Sequence, residues 1–451
     1  MRKLAAILAF VLLAGCWERE ARHGGGDPVL PVRPAPVAPF RMGRPDAVLL
    51  ITGGGCGMME ACNCRGRMPG GLARRSGLVQ SYRSAFHATF CLDGGDAFWV
   101  DPQDVRNQFV VRGYEQIGYD AMVLGDQEWA ASNAYLRRLL RADSTPYLSS
   151  TVAPADEQDA LPLVRQVVRQ LGRLRLAVIS DVRKDAFMFL PAARLECLRF
   201  ASGRQLAERA AALKAQGCVV VVVSHMGDDL VQRTAEEIPA DIIVRSHTAR
   251  SSDRVETIGG RPTVSVGGAE HVGVLAIRAG AEGQAEELEY RLELVDDRWP
   301  IDQRLIQTYQ AYSRAAMRAA LDTERTEGLR YVPSNTCGQC HASQFAAWRG
   351  TRHARAYATL VEAGRQGDPN CLMCHATGFG TQQGFRTIDE TPELAGVNCQ
   401  DCHRFNVDEH QRSSFKASKP GRNLCTSCHT PVTDPAFEFE ARSVGVRCPS
   451  D

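Results

Sequence analysis

Apolar residues are distributed differently in the first two thirds of this chain and in its last third. In the first part, short runs of aliphatic and β-branched residues alternate with stretches in which apolar positions recur at helical spacing. The runs, which are typical of buried strands, include residues 47–51, 177–180, 219–224 and 242–244. The helical stretches include residues 131–142 and 202–216. This alternation predicts an α/β region in which sheets are sandwiched between helices.

The last third of the chain has few long apolar runs, and its periodic patterns are short. A helical pattern over residues 299–327 leads into it, and we expect a rigid connector that packs on both parts. From residue 334 onwards, the side chains alone should not bury enough apolar surface to offset the conformational entropy lost on folding. This segment therefore needs another source of core.

A five-residue pattern, Cys-x-x-Cys-His, occurs four times in this segment. Its cysteines and histidines are Cys337, Cys340 and His341; Cys371, Cys374 and His375; Cys399, Cys402 and His403; and Cys425, Cys428 and His429. Two thiols at this spacing form thioethers with the two vinyl groups of one haem, and the histidine binds the iron. A zinc ribbon also uses paired cysteines, but it does not require a histidine after each pair. The sequence predicts four covalently attached haem c groups, which also supply the missing core.

The residues around these motifs resemble the tetrahaem cytochrome domain related to the electron carrier of ammonia oxidisers. The matching residues are Trp348 and His353-Ala-Arg-Ala356 after the first motif, His375-Ala-Thr-Gly-Phe379 in the second, and Gly396-Val397 before the third. The resemblance implies a small, mostly helical, haem-packed domain with His353 as a distal haem ligand. It implies His410 less directly, because Arg404-Phe-Asn406 replaces the usual Gly-Pro-Gly after the third motif.

The distal ligands are limited by the number of histidines. Residues 334–451 contain six, and four of them belong to the motifs. His353 and His410 can therefore complete two haems. The other two haems require His87 or His271 from the α/β region, a methionine or lysine, or an open coordination position, and an open position would favour catalysis.

The N-terminal residues are typical of an exported lipoprotein. Arg2 and Lys3 precede an apolar run over residues 4–13, and a lipobox, Leu-Ala-Gly-Cys, ends at Cys16. A plain signal peptide whose cleavage site carries a cysteine is the alternative. The apolar run is too short to span a bilayer, which needs about 20 residues, whereas diacylation of Cys16 would anchor the protein in the lipid membrane. We expect the periplasmic face of the outer membrane or the cell surface.

The α/β region resembles the metallophosphoesterase half of the periplasmic 5'-nucleotidases, whose relatives include the thiohydrolase of bacterial sulfur oxidation. The matching residues follow the family's order and lie at 70–74, 94–96, 118–125, 224–227 and 246–248. Such enzymes place their metal ligands in loops that follow strands. The resemblance implies one complete set of ligands, which consists of Asp96, Asp126, His225 and His247.

Other positions depart from this family's pattern. Gly54 and Cys56 stand where the family has the Asp and His of its other metal ion, and Ala249 replaces the final His. Gln127 replaces the catalytic His, and Ala130 replaces the Asp that supports it. A neutral amide cannot act as a general acid. We therefore expect one divalent ion, Zn²⁺ or Mn²⁺, and no hydrolysis of phosphate esters.

Seven of the sixteen cysteines belong neither to the haem motifs nor to the lipobox. Cys62 and Cys64, which lie close to Cys56 in the sequence, could ligate a soft metal or form a redox disulfide. Alternatively, one of them forms a structural disulfide with Cys91. Cys218 opens an all-valine run and is expected to be a buried thiol.

These features predict five consecutive parts. They are a signal peptide (1–16), a flexible tether (17–45), a metallophosphoesterase-like domain with a degenerate site (46–297), a connector helix (298–333) and a tetrahaem cytochrome c domain (334–451). The net charge of +1 gives no electrostatic reason to expect binding of nucleic acid.

Two functions are compatible with this organisation. The first is a lipid-anchored electron-transfer cytochrome whose α/β domain docks or senses after losing phosphatase catalysis. Its redox partners would be other cytochromes or a quinol-linked donor. The second is a redox or sulfur-chemistry enzyme, or a residual metal-dependent hydrolase, in which the region of Cys56 and the metal does the chemistry while the haems relay electrons.

Overall fold

A computed structural model describes residues 31–61, 69–101, 105–141, 145–227, 230–248, 251–323, 325–410, 419–430, 433–434 and 436–449. Within these residues the chain forms fifteen β-strands and sixteen α-helices. The strands are β1 (Ala47–Thr52), β2 (Thr89–Asp93), β3 (Ala121–Val123), β4 (Tyr147–Leu148), β5 (Val152–Pro154), β6 (Leu163–Val164), β7 (Val167–Leu171), β8 (Leu174–Asp181), β9 (Leu198–Phe200), β10 (Val219–Ser224), β11 (Ile242–Arg245), β12 (Glu256–Ile258), β13 (Arg261–Ser265), β14 (His271–Ala279) and β15 (Ala285–Leu294). The helices are α1 (Leu72–Ala85), α2 (Arg106–Ile117), α3 (Asp126–Ala130), α4 (Asn133–Leu140), α5 (Ala192–Leu195), α6 (Gly203–Ala215), α7 (Val231–Glu237), α8 (Gln303–Asp322), α9 (Ser334–Cys337), α10 (Ala342–Arg349), α11 (Ala356–Glu362), α12 (Pro369–His375), α13 (Cys399–His403), α14 (Val407–His410), α15 (Arg422–Cys425) and α16 (Phe439–Ser443).

Most of the strands belong to two sheets. The seven-stranded sheet has the order β15-β14-β1-β2-β3-β4-β6, in which β1, β2, β3, β4 and β6 are parallel and β14 is antiparallel to both of its neighbours, β1 and β15. The six-stranded sheet has the order β12-β13-β11-β10-β8-β7, with a parallel centre and an antiparallel strand at each edge. Strands β5 and β9 form a separate antiparallel pair.

The valine run of β10 determines how the six-stranded sheet is covered. Val219, Val221 and Val223 lie in the main core together with residues of the seven-stranded sheet. Val220 and Val222 pack on the other face, against residues of α6 and α7. Successive side chains of a strand point to opposite faces, so a strand that is apolar on both faces has to be covered on both. The predicted sandwich of sheets between helices is confirmed.

Helix α8 follows the α/β region and is shorter than predicted. The side chain of Asp302 accepts a hydrogen bond from the Arg304 amide and caps its first turn, whereas Thr323 has extended dihedral angles and ends the last turn. The described residues between 325 and 333 form no helix. The helical stretch predicted over 299–327, and the connector helix predicted over 298–333, are therefore wrong at both ends.

Helix α8 nevertheless contacts both parts of the chain, as expected for a connector. On one side, Thr308 donates a hydrogen bond of 2.9 Å to Gln116 of α2. On the other side, the hydroxyl of Tyr309 donates a hydrogen bond of 2.9 Å to Asp368, which precedes α12. Both bonds are at least partly buried, so α8 fixes the segment with the haem motifs against the α/β region.

In the described residues of the segment with the haem motifs, the helices α9 to α16 are short, with four to eight residues each. Its buried apolar cluster is small and contains Tyr357, Leu360, Leu372, Ala376, Phe385 and Leu394. A cluster of this size buries little apolar surface for a segment of this length. This agrees with the expectation that haem groups provide the rest of the core.

The packed part of the chain begins before residue 46, which was predicted as its start. Phe40 and Met42 are buried against the α/β region, and the Met42 amide donates a hydrogen bond of 3.0 Å to Glu289 of β15. The apolar side chains within this proline-rich stretch are the physical reason, since they find a place in the core. The predicted signal peptide and Cys16 lie outside the described residues. None of the described helices combines the length and apolar character that would be needed to cross a membrane.

Candidate metal centre and haem-binding segment

Four polar side chains meet where strands of both sheets end. Asp96 follows β2 and Asp126 begins α3 directly after β3, both on the seven-stranded sheet. His225 follows β10 and His247 follows β11, which are neighbouring strands of the six-stranded sheet. These are carboxyl ends of parallel strands, the usual position of ligand sites in α/β folds. The structure thus brings together all four residues that the sequence resemblance implied as metal ligands.

The distances between these side chains fit one metal ion. His225 Nε2 lies 3.2 Å from Asp96 Oδ1 and 3.1 Å from Asp126 Oδ1. His247 Nδ1 lies 3.1 Å from His225 Nε2 and 3.5 Å from Asp126 Oδ1. In a tetrahedral site with bonds of about 2.0–2.1 Å to nitrogen and oxygen, ligand atoms lie about 3.3 Å apart. Two imidazoles and two carboxylates suit Zn²⁺ or Mn²⁺ in their chemistry as well.

Buried hydrogen bonds hold His225 in position. Its Nδ1 donates a hydrogen bond of 2.9 Å to the carbonyl of Gly94, which turns Nε2 toward Asp96 and Asp126. The hydroxyl of Ser246 donates to the same carbonyl at 2.7 Å. A hydrogen bond from the other ring nitrogen is the usual way in which proteins orient a histidine toward a metal.

Glu128 supports the site and was not found from the sequence. Its carboxylate accepts backbone hydrogen bonds from Asp96 at 3.0 Å, Gly125 at 2.8 Å and Phe98 at 2.9 Å. Burial, together with the nearby charge of Asp96, raises the pKa of Glu128 to about 8. These bonds join the loop after β2 to the start of α3, so Glu128 fixes the distance between Asp96 and Asp126.

Gly125 leaves the space that the four ligands occupy. A Cβ atom at this position would lie 2.5 Å from His225 Nε2 and 2.6 Å from Asp96 Oδ1. Real Cβ atoms essentially never come this close to other heavy atoms, so any larger residue would displace two ligands. The backbone therefore forms a cradle that only glycine allows.

The described residues contain no second cluster of metal ligands at the positions where the sequence departs from the family pattern. The cluster of potential ligands there contains Asp96, Asp126, His225 and His247 alone. The side-chain amide of Gln127 donates a long hydrogen bond, 3.5 Å, to the Cys56 thiol. Desolvation raises the pKa of Cys56, and the charge of Asp96 raises it further, which favours the protonated thiol. Ala249 lies outside the described residues.

Apart from Cys197, which is an exposed free thiol, the remaining cysteines of the α/β region are either buried or outside the described residues. Cys62 and Cys64 lie outside the described residues. Cys91 is fully buried in β2 as a free thiol, so the predicted disulfide with Cys91 does not form in this structure. A side chain in the middle of a covered sheet is poorly placed to reach a loop cysteine. Cys218 is buried, as expected.

In the haem segment, the two non-motif histidines lie opposite motif histidines. The rings of His341 and His410 have centroids 5.9 Å apart, and those of His353 and His429 have centroids 6.1 Å apart. Iron bound by two imidazoles, at about 2 Å from each nitrogen, places the ring centroids about 6 Å apart. Both pairs therefore fit the axial ligands of one haem each.

Hydrogen bonds orient two of the motif histidines. His375 Nδ1 donates a bond of 2.7 Å to the carbonyl of Ala356, and His429 Nδ1 lies 2.7 Å from a carboxylate oxygen of Asp434. In each ring this leaves Nε2 to bind iron. His87 and His271, the alternatives considered for missing ligands, have other neighbours. His87 lines a cavity beside β1 and β7, and His271 lies 3.7 Å from Glu270.

Thiols of different motifs lie in contact. The Cys337 thiol lies beside that of Cys399, and the Cys428 thiol lies beside that of Cys374. The first and third motifs are therefore adjacent, as are the second and fourth. Covalent attachment at these sulfurs would bring the haems of each pair close together.

The solved structures similar to this chain define the class of its fold. Sulfate thiohydrolase SoxB of Thermus thermophilus has a TM-score of 0.54 at 21% identity, over 65% of this chain and 64% of that chain. A 5'-nucleotidase precursor, also from Thermus thermophilus, has a TM-score of 0.52 at 18% identity, over 77% and 73% of the two chains. The calcineurin-like phosphoesterase YfkN of Bacillus subtilis has a TM-score of 0.51 at 18% identity, over 60% and 98%. The α/β region has the metallophosphoesterase fold, as predicted.

The haem segment matches a particular family. The profile of the family "Cytochrome c554 and c-prime" matches residues 336–404, which include the first three motifs. Cytochrome c-554 of Nitrosomonas europaea is 31% identical over an alignment of 129 residues, which covers 24% of this chain and 52% of the relative. The chain thus spans about half the length of this curated relative. Both predicted resemblances are confirmed, and the protein joins a metallophosphoesterase-like fold to a cytochrome c554-like segment.

Proposed function

We propose that this protein is a lipid-anchored, four-haem electron-transfer cytochrome whose metallophosphoesterase-like part has lost phosphatase catalysis and acts in docking or sensing. The observation that carries the proposal is the pairing of His341 with His410 and of His353 with His429 at the spacing that one iron requires. An iron held between the two rings of such a pair would have no open position for a substrate, so these two haems would suit electron transfer.

The residues of the haem segment have separable roles. The eight motif cysteines would hold four haems as thioethers, and the motif histidines would bind the iron atoms. When bound, these haems supply one-electron transfer. The protein sets their spacing, because the Cys337–Cys399 and Cys374–Cys428 contacts join motifs that are distant in the sequence.

Side-chain contacts join the α/β part to helix α8 and to the haem segment. Arg365, in the haem segment, forms a mostly buried ion pair of 3.3 Å with Glu60. Arg106 lies over the ring of Trp99 at 4.6 Å and donates a hydrogen bond of 3.2 Å to Tyr312 of α8. This arrangement supports a docking or sensing role, because a change at the metal centre has a packed route to the haem segment.

The loss of hydrolysis is supported by the missing groups. One complete ligand set would hold a single ion and would not form the two-metal clamp on attacking and leaving oxygens. Gln127 is engaged with Cys56 and cannot deliver a proton to a leaving group. Gly54, at the position of a family ligand, has no side chain.

The proposed location is the periplasmic face of the outer membrane or the cell surface, with Cys16 as the lipid anchor. Haem attachment at Cys-x-x-Cys-His motifs outside the cytoplasm is in keeping with export. The proposed redox partners are other cytochromes or a quinol-linked donor, and no nucleic acid is expected. Anchoring would keep the haems near such partners at the membrane surface.

The test uses the full-length protein isolated from membranes. We expect intact mass spectrometry to show four haem additions and a lipid modification at Cys16. We also expect complete reduction and reoxidation of the haems, and no turnover of nucleotide phosphates. Fewer than four haems would contradict the count. Nucleotide turnover that His225→Ala abolishes would contradict the loss of phosphatase catalysis.

A second function, a redox enzyme for sulfur compounds, is favoured by the position of Cys56. This exposed thiol lies 3.5 Å from the Gln127 side chain, beside the metal centre. The next residue, Gly57, lies against Trp99, and the Arg106 side chain lies over the ring of Trp99. Arg106 is hydrogen-bonded to Tyr312, whose hydroxyl also accepts a hydrogen bond from Asn370, next to the second haem motif. If this function holds, Cys56→Ser should slow haem reduction by thiosulfate or sulfide at least tenfold, with Cys197→Ser as the control. Equal rates in both variants would leave the electron carrier as the function.

A further inference from the structure

The C-terminal residues bring a cysteine to the third haem motif. Cys448 Sγ lies 4.0 Å from His403 Nε2, the atom with which a motif histidine binds iron. Nδ1 of His403 is buried and has no hydrogen-bond partner among the described residues, so Nε2 is the ring nitrogen that faces another side chain. Cys448 lies 45 residues beyond His403, and nothing in the haem-motif pattern refers to it.

The separation of the two atoms fits axial ligands on opposite sides of one iron. A metal bound at about 2.0 Å by nitrogen and at about 2.3 Å by thiolate sulfur places the two atoms about 4.3 Å apart. The His341–His410 and His353–His429 pairs have the corresponding spacing for two imidazoles. The three pairs therefore share one geometric relation, in which a motif histidine faces a second ligand across the space of an iron.

The composition of the segment supports the same assignment. Its six histidines are used up by the four motifs and by the two pairs that contain His353 and His410. Cys448 is the one cysteine between residues 334 and 451 that lies outside the motifs. The motif cysteines would be thioethers in the haem-loaded protein, and this leaves Cys448 without a disulfide partner in the segment.

The adjacent backbone is attached to the body of the segment. The side-chain amide of Gln344, on α10 just after the first motif, donates a hydrogen bond of 3.2 Å to the carbonyl of Pro449. Upstream, Glu440 of α16 accepts hydrogen bonds of 2.6 and 2.8 Å from Arg422, before the fourth motif. The C-terminal residues are thus held at both ends of the stretch that presents the thiol.

We propose that Cys448 is the axial ligand opposite His403 on the haem attached at Cys399 and Cys402. The S–H bond breaks, its proton goes to solvent, and a sulfur–iron bond forms with no change in oxidation state. The anionic thiolate stabilises ferric iron relative to ferrous iron, so this haem has a lower reduction potential than the two haems with paired histidines. Because Cys337 contacts Cys399, the haems of the first and third motifs would be neighbours. Their reduction potentials would differ, so electron transfer would be favoured in one direction between them.

This inference rests on the proposed function, since it requires haem at the third motif. The test therefore begins with the haem count of the full-length holoprotein and of Cys448→Ala by intact mass. We expect four haems in both. Electron paramagnetic resonance of the oxidised wild type should show one low-spin haem with the small g-anisotropy of a thiolate ligand, beside signals from paired histidines.

In Cys448→Ala the thiolate signal should disappear, and one haem should become high spin or bind water. In Cys448→His a further bis-histidine signal should replace it, and one midpoint potential should rise. Cys197→Ala, which removes an exposed thiol in the α/β region, should leave the spectrum unchanged. Cys448→His keeps a ligand in place, so it gives an answer even if the alanine variant does not fold.

Different results would overturn the proposed function and the assignment of Cys448 as a ligand. Fewer than four haems in the wild type would overturn both the proposed function and the ligand. Four haems with a spectrum that neither Cys448 variant alters would overturn the ligand alone. A disulfide at Cys448, shown by thiol titration of the unfolded holoprotein, would do the same.

Discussion

The α/β region and the haem segment form their cores in different ways. In the α/β region, strands such as β10 are apolar on both faces and are covered by a second sheet and by helices. In the described part of the haem segment, a cluster of six buried apolar residues packs among eight short helices. The periodicity of apolar side chains therefore encodes the fold of the α/β region, whereas attachment points for a cofactor encode the fold of the haem segment. The following predictions compare the two regions directly.

The largest effect is expected from removing one attachment point. The double variant Cys337→Ser, Cys340→Ser should lose one haem and destabilise the whole haem segment, since part of its core is gone. The α/β region should still unfold at its original temperature. Intact mass, together with melting curves followed by Soret and far-ultraviolet absorption, would check both parts. Loss of the α/β transition in the same variant would show that the regions do not fold independently.

The next largest effect is expected when a buried leucine is replaced by alanine in each of the two cores. Leu49→Ala in β1 removes a fully buried side chain from the large core and should cost about 2–5 kcal/mol of unfolding free energy. Leu372→Ala, equally buried but flanked by Cys371 and Cys374, should cost less, since covalent haem still holds its backbone. Denaturant titration with a separate probe for each region measures both values. A larger cost at Leu372 would contradict the difference between the cores.

Gly125→Ala tests whether the α/β region binds a metal ion at the four side chains for which Gly125 leaves space. The added Cβ would meet His225 Nε2 and Asp96 Oδ1, so bound zinc or manganese should fall from one per chain to less than a tenth. The haem content should not change. Gly421→Ala is the matched control, because a Cβ there meets nothing within 4 Å. Unchanged metal content in Gly125→Ala would mean that the four side chains do not hold the ion.

The smallest effect is confined to one haem. His353→Ala should convert one low-spin signal to high spin while all four haems remain attached, because the ring opposite His429 is lost. Resonance Raman spectroscopy counts five- and six-coordinate haems directly. His87→Ala, at a cavity beside β1 and β7, is the control. If the two variants give the same spectrum, His353 is not a ligand.

Much of both regions could be predicted from the sequence, and the misses have physical causes. The valine run of β10 is apolar at every position, which predicts a strand covered on both faces. Asp96, His225 and His247 were found because each lies in a loop that resembles a family motif. Glu128 was missed as a positioning residue because its three backbone hydrogen bonds depend on the approach of two loops.

Cys448 was missed for a similar reason. The sequence showed that two haems lacked a histidine ligand, but no local pattern links Cys448 to His403. Their approach depends on the path of the C-terminal residues over α10, which is fixed by contacts such as that of Gln344 with Pro449. The end of α8 at Asp322 was also missed, because residues 323–327 contain neither the proline nor the glycine that would mark the end of a helix.

The central claim is that one region holds a single divalent metal ion while the other carries four haems. Elemental analysis of the full-length protein isolated from membranes tests both halves in one measurement. We expect four iron atoms and one zinc or manganese atom per chain. Two divalent ions per chain, or fewer than four iron atoms, would contradict the claim.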